Sequence, residues 1–219
     1  MLCAWVVALF VAPMALAQEA RADPGAKDSA TISESLLSTE QWVGDLDGMR
    51  QRRQIRLLVP YSKTFYSVDR GGKQFGITYD VGRAFEEWLN KREKTKALKI
   101  SVVFIPVARD RLLAGVGHGV GDIAAGNITI TEQRAGMVQF GDPFAKDIKE
   151  VLVTGPTASP IATLDDLAGR EVFARRSSSY FEHLESLSRS LESKGRKPIV
   201  ISELDEELED EDVMEMANA

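Results

Sequence analysis

The chain has 219 residues, 44% apolar and 27% charged, with 27 basic against 33 acidic side chains and a net charge of −6. That is ordinary globular composition, enough for one domain or two small ones, and its acidic balance argues against nucleic acid, which calls for clustered Lys and Arg. One cysteine, Cys3, and two histidines, His118 and His183, exclude a disulfide framework and a Cys/His zinc site, and no cofactor is expected.

Residues 1–17, MLCAWVVALFVAPMALA, form an apolar run ending in the small-x-small pattern Ala15-Leu16-Ala17. This reads as a secretory signal peptide, too short for a comfortable membrane span. Cys3 leaves with it, so the mature chain is expected in a bacterial periplasm, with no transmembrane helix. Residues 18–48 are polar and read as a flexible lead-in. The basic cluster from Arg50 to Arg56 reads as a solvated flank of the first strand, since it has no aromatic partners in the sequence.

Strand and helix patterns then alternate. Residues 55–59 are a strand ended by Pro60. Over 80–91, Val81, Ala84, Phe85, Trp88 and Leu89 recur at helical spacing. A β-branched strand at 100–105, a short helix at 110–116 stopped by glycines and a small-residue strand at 122–125 follow. This β-α-β-α-β order predicts parallel strands joined by crossovers. Further strand-like pieces lie at 137–140 and 150–153, closing a first lobe over 49–154.

After the turn-rich break at 155–160, a second lobe is expected over 155–219. It holds a capped turn at 163–167 closed by Gly169, a strand at 171–174, a helix at 177–194 and a strand at 198–201. Tyr180, Phe181, Leu184, Leu187 and Leu191 make one face of that helix. The acidic run 203–212 reads as a solvated loop leading into a last helix, with no strand after it, so the second lobe reads as incomplete.

In an open parallel sheet, ligands sit beyond the carboxyl ends of the strands. Residues 126–144, GNITITEQRAGMVQFGDPF, occupy that place after the strand at 122–125. In an extended segment Asn127 and Thr129 point one way and Ile128 and Ile130 point into the core. With Arg134 they converge as an amide, a hydroxyl and a guanidinium, a donor set suited to a carboxylate. From spacing alone the alternative stays open that the threonines only cap a turn and Arg134 lies on the surface.

This segment resembles the signature of family 3 extracellular solute-binding proteins. Thr131-Glu132-Gln133-Arg134 matches a Thr-x-x-Arg element. Residues 138–144, VQFGDPF, match the segment after it, with Gly141 and Phe144 as departures. Phe85 and Asp80 fit the family's first helix, and the resemblance covers roughly 54–219. It implies an α/β fold of the type II periplasmic binding protein kind, two lobes with mostly parallel sheets closing on a ligand. It also implies that Asn127, Thr129 and Arg134 hold a ligand carboxylate and that aromatics of the first loop, for which Tyr61, Phe65 and Tyr66 are candidates, pack on the ligand. Ser177, Ser178 and Ser179, opening the long helix of the second lobe, take the place of a turn whose main-chain N–H groups face the anion. A helix N-terminus suits that role, and a plain serine cap is the alternative.

RRSSSY at 175–180 and the acidic stretch 206–219 are similar to the solute-binding part of proteins like membrane-bound lytic murein transglycosylase F. In that group such a module precedes a peptidoglycan-cleaving domain that uses a Glu-Ser pair, and the full-length proteins associate with the outer membrane. The pairs here, Glu34-Ser35, Glu185-Ser186 and Glu192-Ser193, lack the segment that follows the catalytic pair. The reading is therefore a non-enzymatic sensing module for a small carboxylate-bearing solute, an amino acid or muropeptide, partnered by a transglycosylase domain. The alternatives are a receptor for an ABC permease and a cyclohexadienyl dehydratase-like enzyme, which would need an acidic residue beside the carboxylate site.

Overall fold

Residues 54–59, QIRLLV, are apolar apart from Gln54 and Arg56, the pattern of a strand covered on both faces. They form β1 (Gln54–Val59), which follows a short helix α1 (Leu46–Arg52), in a computed structural model that describes residues 41–218. The expected signal peptide, and the lead-in up to residue 40, lie outside the described residues.

A small antiparallel hairpin, β2 (Ser67–Val68) with β3 (Gln74–Phe75), follows β1. Then come α2 (Ile77–Arg92), β4 (Ser101–Pro106), α3 (Arg111–Gly117) and β5 (Ile123–Ala124). β1 is the middle strand of a parallel sheet in the order β4-β1-β5. Alternation divides its side chains. Ile55, Leu57 and Val59 pack with Leu89, Val102 and Phe104, while Leu58 packs with Ile105 and Leu112. Burying a side chain such as Leu58 contributes about 1.5–3 kcal/mol.

Two expectations fail at the amino end of this sheet. The lead-in does not extend to residue 48: Trp42 N–H donates to the Gly119 carbonyl at 3.0 Å, and the Arg52 guanidinium lies 4.0 Å over the Trp42 ring. Gly119 is required there, because its φ is +73° and a Cβ would come within 2.6 Å of the Trp42 carbonyl oxygen. Nor is the basic cluster a solvated flank. Arg56 and Asp122 each keep only 1% of their side chain exposed and pair at 2.7 Å. Asp122 also accepts from the Arg56 backbone N–H at 2.7 Å and from Arg52 at 3.0 Å. Burial works to raise the Asp122 carboxyl, but the hydrogen bonds from Arg56 and Arg52 outweigh it and hold it below the usual carboxylate range.

After β5 comes the single-turn helix α4 (Glu132–Ala135), and residues 136–163 form no helix or strand. The expected strands at 137–140 and 150–153 are absent from this stretch. Strand formation needs a ladder partner for each backbone group, and here Phe144 and Val151 instead lie exposed.

The turn at Leu164–Leu167 forms as a 3₁₀ helix, with the Asp166 carboxylate accepting from the Thr163 N–H at 2.9 Å. β6 (Glu171–Arg175), α5 (Ser179–Ser193), β7 (Val200–Leu204) and α6 (Asp210–Ala217) complete the described chain. β6 and β7 pair in parallel, with Glu171 opposite Val200. α5 lays Leu184, Leu187 and Leu191 against Leu167, Val172, Ile199 and Ile201. β7 begins later than expected because the Ser188 hydroxyl takes the Ile199 N–H at 3.0 Å before the ladder starts.

Candidate functional site

The carboxyl ends of both parallel sheets face one cleft. Leaving β4, the chain reaches Arg109; leaving β5, it reaches Asn127, Thr129 and Arg134. From the other side β6 delivers Arg175, and the turn into α5 delivers Ser177, Ser178, Ser179 and Tyr180. The cleft volume is about 50 Å³. That admits a few waters, far below the roughly 300 Å³ at which small-molecule sites begin. The cleft is thus filled by its own side chains.

Arg134 is the hub. Thr131 caps α4, its hydroxyl accepting from the Arg134 N–H at 3.3 Å, and this turns the arginine inward, where it is buried. Its Nη1 donates to the Thr129 carbonyl at 3.2 Å and its Nη2 to the Ser177 carbonyl at 2.8 Å. Its Nε donates to Glu182 Oε1 at 3.0 Å. Residues from both sheets therefore meet on one guanidinium.

The other two arginines are matched in the same way. Arg109 grips Glu209 through Nε, at 3.0 Å, and through Nη2, and donates to the Gly126 carbonyl at 2.6 Å. Arg175 donates to the Leu208 carbonyl and to Asp210 Oδ1 at 2.5 Å. Its buried Nε has no partner among the described residues. Three guanidinium groups thus face three carboxylates. Tyr180 donates to Asp210 at 3.2 Å, and burial, then the Asp210 charge, push its hydroxyl up from the ordinary value.

The expected residues divide. Asn127, Thr129, Arg134, Ser177, Ser178 and Ser179 line the cleft together. Several of their groups are already engaged: Thr129 offers its carbonyl to Arg134, Ser177 donates N–H and hydroxyl to Glu206 at 2.9 and 2.5 Å, and Ser179 donates to Glu150 at 3.0 Å. Ser178 caps α5, accepting from the Phe181 N–H at 3.2 Å. Asn127 has a φ of +53°, so the segment is kinked instead of extended, and Ile130 turns outward, contrary to the alternation expected there.

The aromatic candidates do not line the cleft. Tyr66 is in the core, stacked on Phe104 with centroids 5.5 Å apart, because its backbone bridges to Ser62 and turns the ring under the sheet. Tyr61 is exposed. Phe65 touches the rim through Arg109, whose guanidinium lies 5.9 Å from its ring.

The acidic run is not a solvated loop either. Glu209 is 4% exposed. Glu211 accepts from the Ser62 hydroxyl at 2.7 Å, and Lys63 lies 3.4 Å from Glu215. Burial works against the Glu211 charge, yet the Ser62 and backbone donors hold its carboxyl below the usual range. Arg109, Arg175, Tyr180 and Glu182 were missed by the sequence reading. The strand-end rule that singled out Arg134 applies equally to Arg109 and Arg175; Tyr180 and Glu182 become visible only when α5 packs over the cleft.

Two parallel α/β sheets that aim their strand ends at a shared cleft define a protein of the periplasmic-binding-protein kind. The family model for bacterial extracellular solute-binding proteins, family 3, matches residues 58–210, and the chain belongs to that family. It is similar to membrane-bound lytic murein transglycosylase F of Saccharophagus degradans, at 33% identity over 126 residues, covering 58% of this chain and 23% of that protein. It is also similar to the probable ABC transporter extracellular-binding protein YckB of Bacillus subtilis, at 31% identity over 123 residues, covering 56% of this chain and 40% of that one. The matched stretch therefore spans less than half of either relative. Among solved structures, the ancestral amino acid-binding protein AncCDT-1, a precursor of cyclohexadienyl dehydratase, superposes with a TM-score of 0.58 at 23% identity, covering 79% of this chain and 72% of that one. An ancestral arginine-binding protein bound to arginine gives 0.53 at 21% identity, covering 70% and 61%. These two establish the fold, a type II periplasmic binding protein of two lobes with parallel sheets. Among the described residues no helix is long and apolar enough to cross a membrane, and no group of three or more His, Cys, Asp or Glu could hold a metal ion.

Proposed function

We propose that the chain is a periplasmic solute-binding module that closes its two lobes on a small carboxylate-bearing ligand, an amino acid or a muropeptide-like fragment, and performs no chemistry on it. In this reading Arg134 anchors the carboxylate, while Asn127, Thr129 and the amino end of α5 at Ser177, Ser178 and Ser179 surround it. The single observation that carries the reading is the meeting of Arg134 from the first sheet with the Ser177 carbonyl and the start of α5 from the second. A planar guanidinium beside a positive helix end favours a carboxylate for both geometry and charge. The similarity to transglycosylase F supports a sensing role, in which ligand closure regulates an attached peptidoglycan-cleaving domain.

A second reading is a free receptor that delivers solute to an ABC importer, favoured by the likeness to the Bacillus subtilis binding protein. The acidic residue that a dehydratase-like enzyme would need is available as Glu182, but its carboxylate engages Arg134. Thermal unfolding of the purified chain against a panel of amino acids and muropeptides tests the binding reading. A ligand that raises the midpoint of the wild type but not of Arg134→Ala is the expected result. A panel without any effect on the wild type counts against it.

A further inference from the structure

The cleft arginines are matched by carboxylates of the protein itself, and the three matches differ in how tightly they are held. Glu209 is held by two nitrogens of Arg109, and its side chain is 5% exposed. Asp210 is more open to water, with its side chain 42% exposed, but it accepts from both Arg175 and Tyr180, so two groups hold it. Glu182 has a single contact, Nε to Oε1 at 3.0 Å, and its side chain is 26% exposed. A solvated, monodentate carboxylate is the one that a solute can replace, because water and the solute together can take over its hydrogen bond.

We infer that Glu182 is an internal stand-in for the ligand carboxylate and sets the affinity of the site by competing for Arg134. The inference rests on the proposed binding function and adds the determinant that tunes it. Arg134 directs three of its five N–H donors at Glu182, Thr129 and Ser177. The two carbonyls hold its orientation whether or not a ligand is present. Glu182 alone carries a charge that an incoming carboxylate duplicates, and two carboxylates on one guanidinium repel each other. Binding is then an exchange: Glu182 swings to water and the solute takes its place. The position of Glu182 in the first turn of α5 suits the exchange, because the positive helix end that favours Glu182 there favours a solute carboxylate equally.

The test uses Glu182→Gln, which keeps the shape and a hydrogen-bond acceptor but removes the charge. The probes are sodium acetate, the smallest stable carboxylate carrying a methyl group, and glycine, a minimal zwitterion. The readout is the Arg134 Nε–H signal in ¹H–¹⁵N spectra, assigned by its disappearance in Arg134→Ala. The expected result is an apparent Kd for both probes that is lower in Glu182→Gln than in the wild type by roughly three- to tenfold, the range of a partly exposed charge-assisted contact. Glu182→Ala must show the same direction of change. An unchanged or weaker affinity in Glu182→Gln, with the Arg134 signal still responding, overturns the inference while leaving the binding function standing, and makes Glu182 a ligand contact or a bystander. An Arg134 signal that responds to neither probe in any of the proteins overturns both. Loss of cooperative folding in both Glu182 variants also overturns it, since the residue would then be a structural clamp.

Discussion

The two ends of the three-stranded sheet use the same chemistry for opposite purposes. At the amino end Arg56 meets Asp122, with each side chain only 1% exposed. At the carboxyl end Arg134 meets Glu182, with 10% and 26% exposed. Asp122 is held by Arg52, by the Arg56 side chain and by the Arg56 backbone, whereas Glu182 is held by one N–H. Removing one partner of a buried, fully bonded pair leaves an uncompensated charge in the interior; removing one partner of a solvated pair leaves a charge that water can serve. The amino end is therefore a permanent fastening of β1 to β5, and the carboxyl end is an exchangeable one.

Asp122→Asn breaks this comparison most severely. It should lower unfolding stability by about 3–5 kcal/mol, read from urea denaturation, while leaving the residues of the cleft in place. A loss below about 1 kcal/mol would mean that the buried pair is not what fastens the sheet. Arg134→Ala should do the reverse. Its main cost is one charge-assisted contact to a ligand carboxylate, about 1.5–3 kcal/mol or roughly ten- to a hundredfold in affinity, with a smaller change in the unfolding midpoint than Asp122→Asn. Equal midpoints for these two variants would erase the distinction between the ends.

Acid sharpens the comparison further. The Asp122 carboxyl is held below its ordinary value by its arginine partners, so its stabilising contribution is present above the unfolded-state value of about 3.9 and lost as the pH falls through the lower folded value. The stability gap between wild type and Asp122→Asn should stay constant from neutral pH to about pH 5 and close below about pH 4. A gap that widens on acidification has the wrong sign for this account. The smallest effect is expected at Lys63, which pairs with Asp212 and Glu215 of α6 and is 68% exposed. Lys63→Ala should leave the unfolding midpoint unchanged within error, and a clear drop would show that the rim contacts of α6 bear more of the lobe contact than the buried Arg109–Glu209 pair.

Much of this arrangement was legible in the sequence. The alternation of residues 54–59, the helical spacing of Val81, Phe85, Trp88 and Leu89 and the Ser-capped start of α5 all report interactions within a few residues of one another. The Thr131 cap on Arg134 is equally local, three residues away, but by itself it leaves open whether the arginine turns inward or lies on the surface. The failures have a common cause. Arg56 reads as solvated because its partner, Asp122, lies 66 residues further along the chain. Glu209 reads as part of a solvated run because Arg109 is 100 residues distant. Tyr66 reads as a candidate for packing on the ligand because nothing local shows that its ring stacks on Phe104.

By itself the amino-acid sequence determined the alternation of the parallel strands β1, β4 and β5 with α2 and α3, that of β6 and β7 with α5, and the strand end at which Arg134 stands, since periodicity, caps and turn residues act over one or two helical turns. Only the tertiary structure decided which charge meets which. Whether an arginine becomes a fastening or a binding group depends on how much water its carboxylate partner keeps, and that is set by packing between segments far apart in the chain.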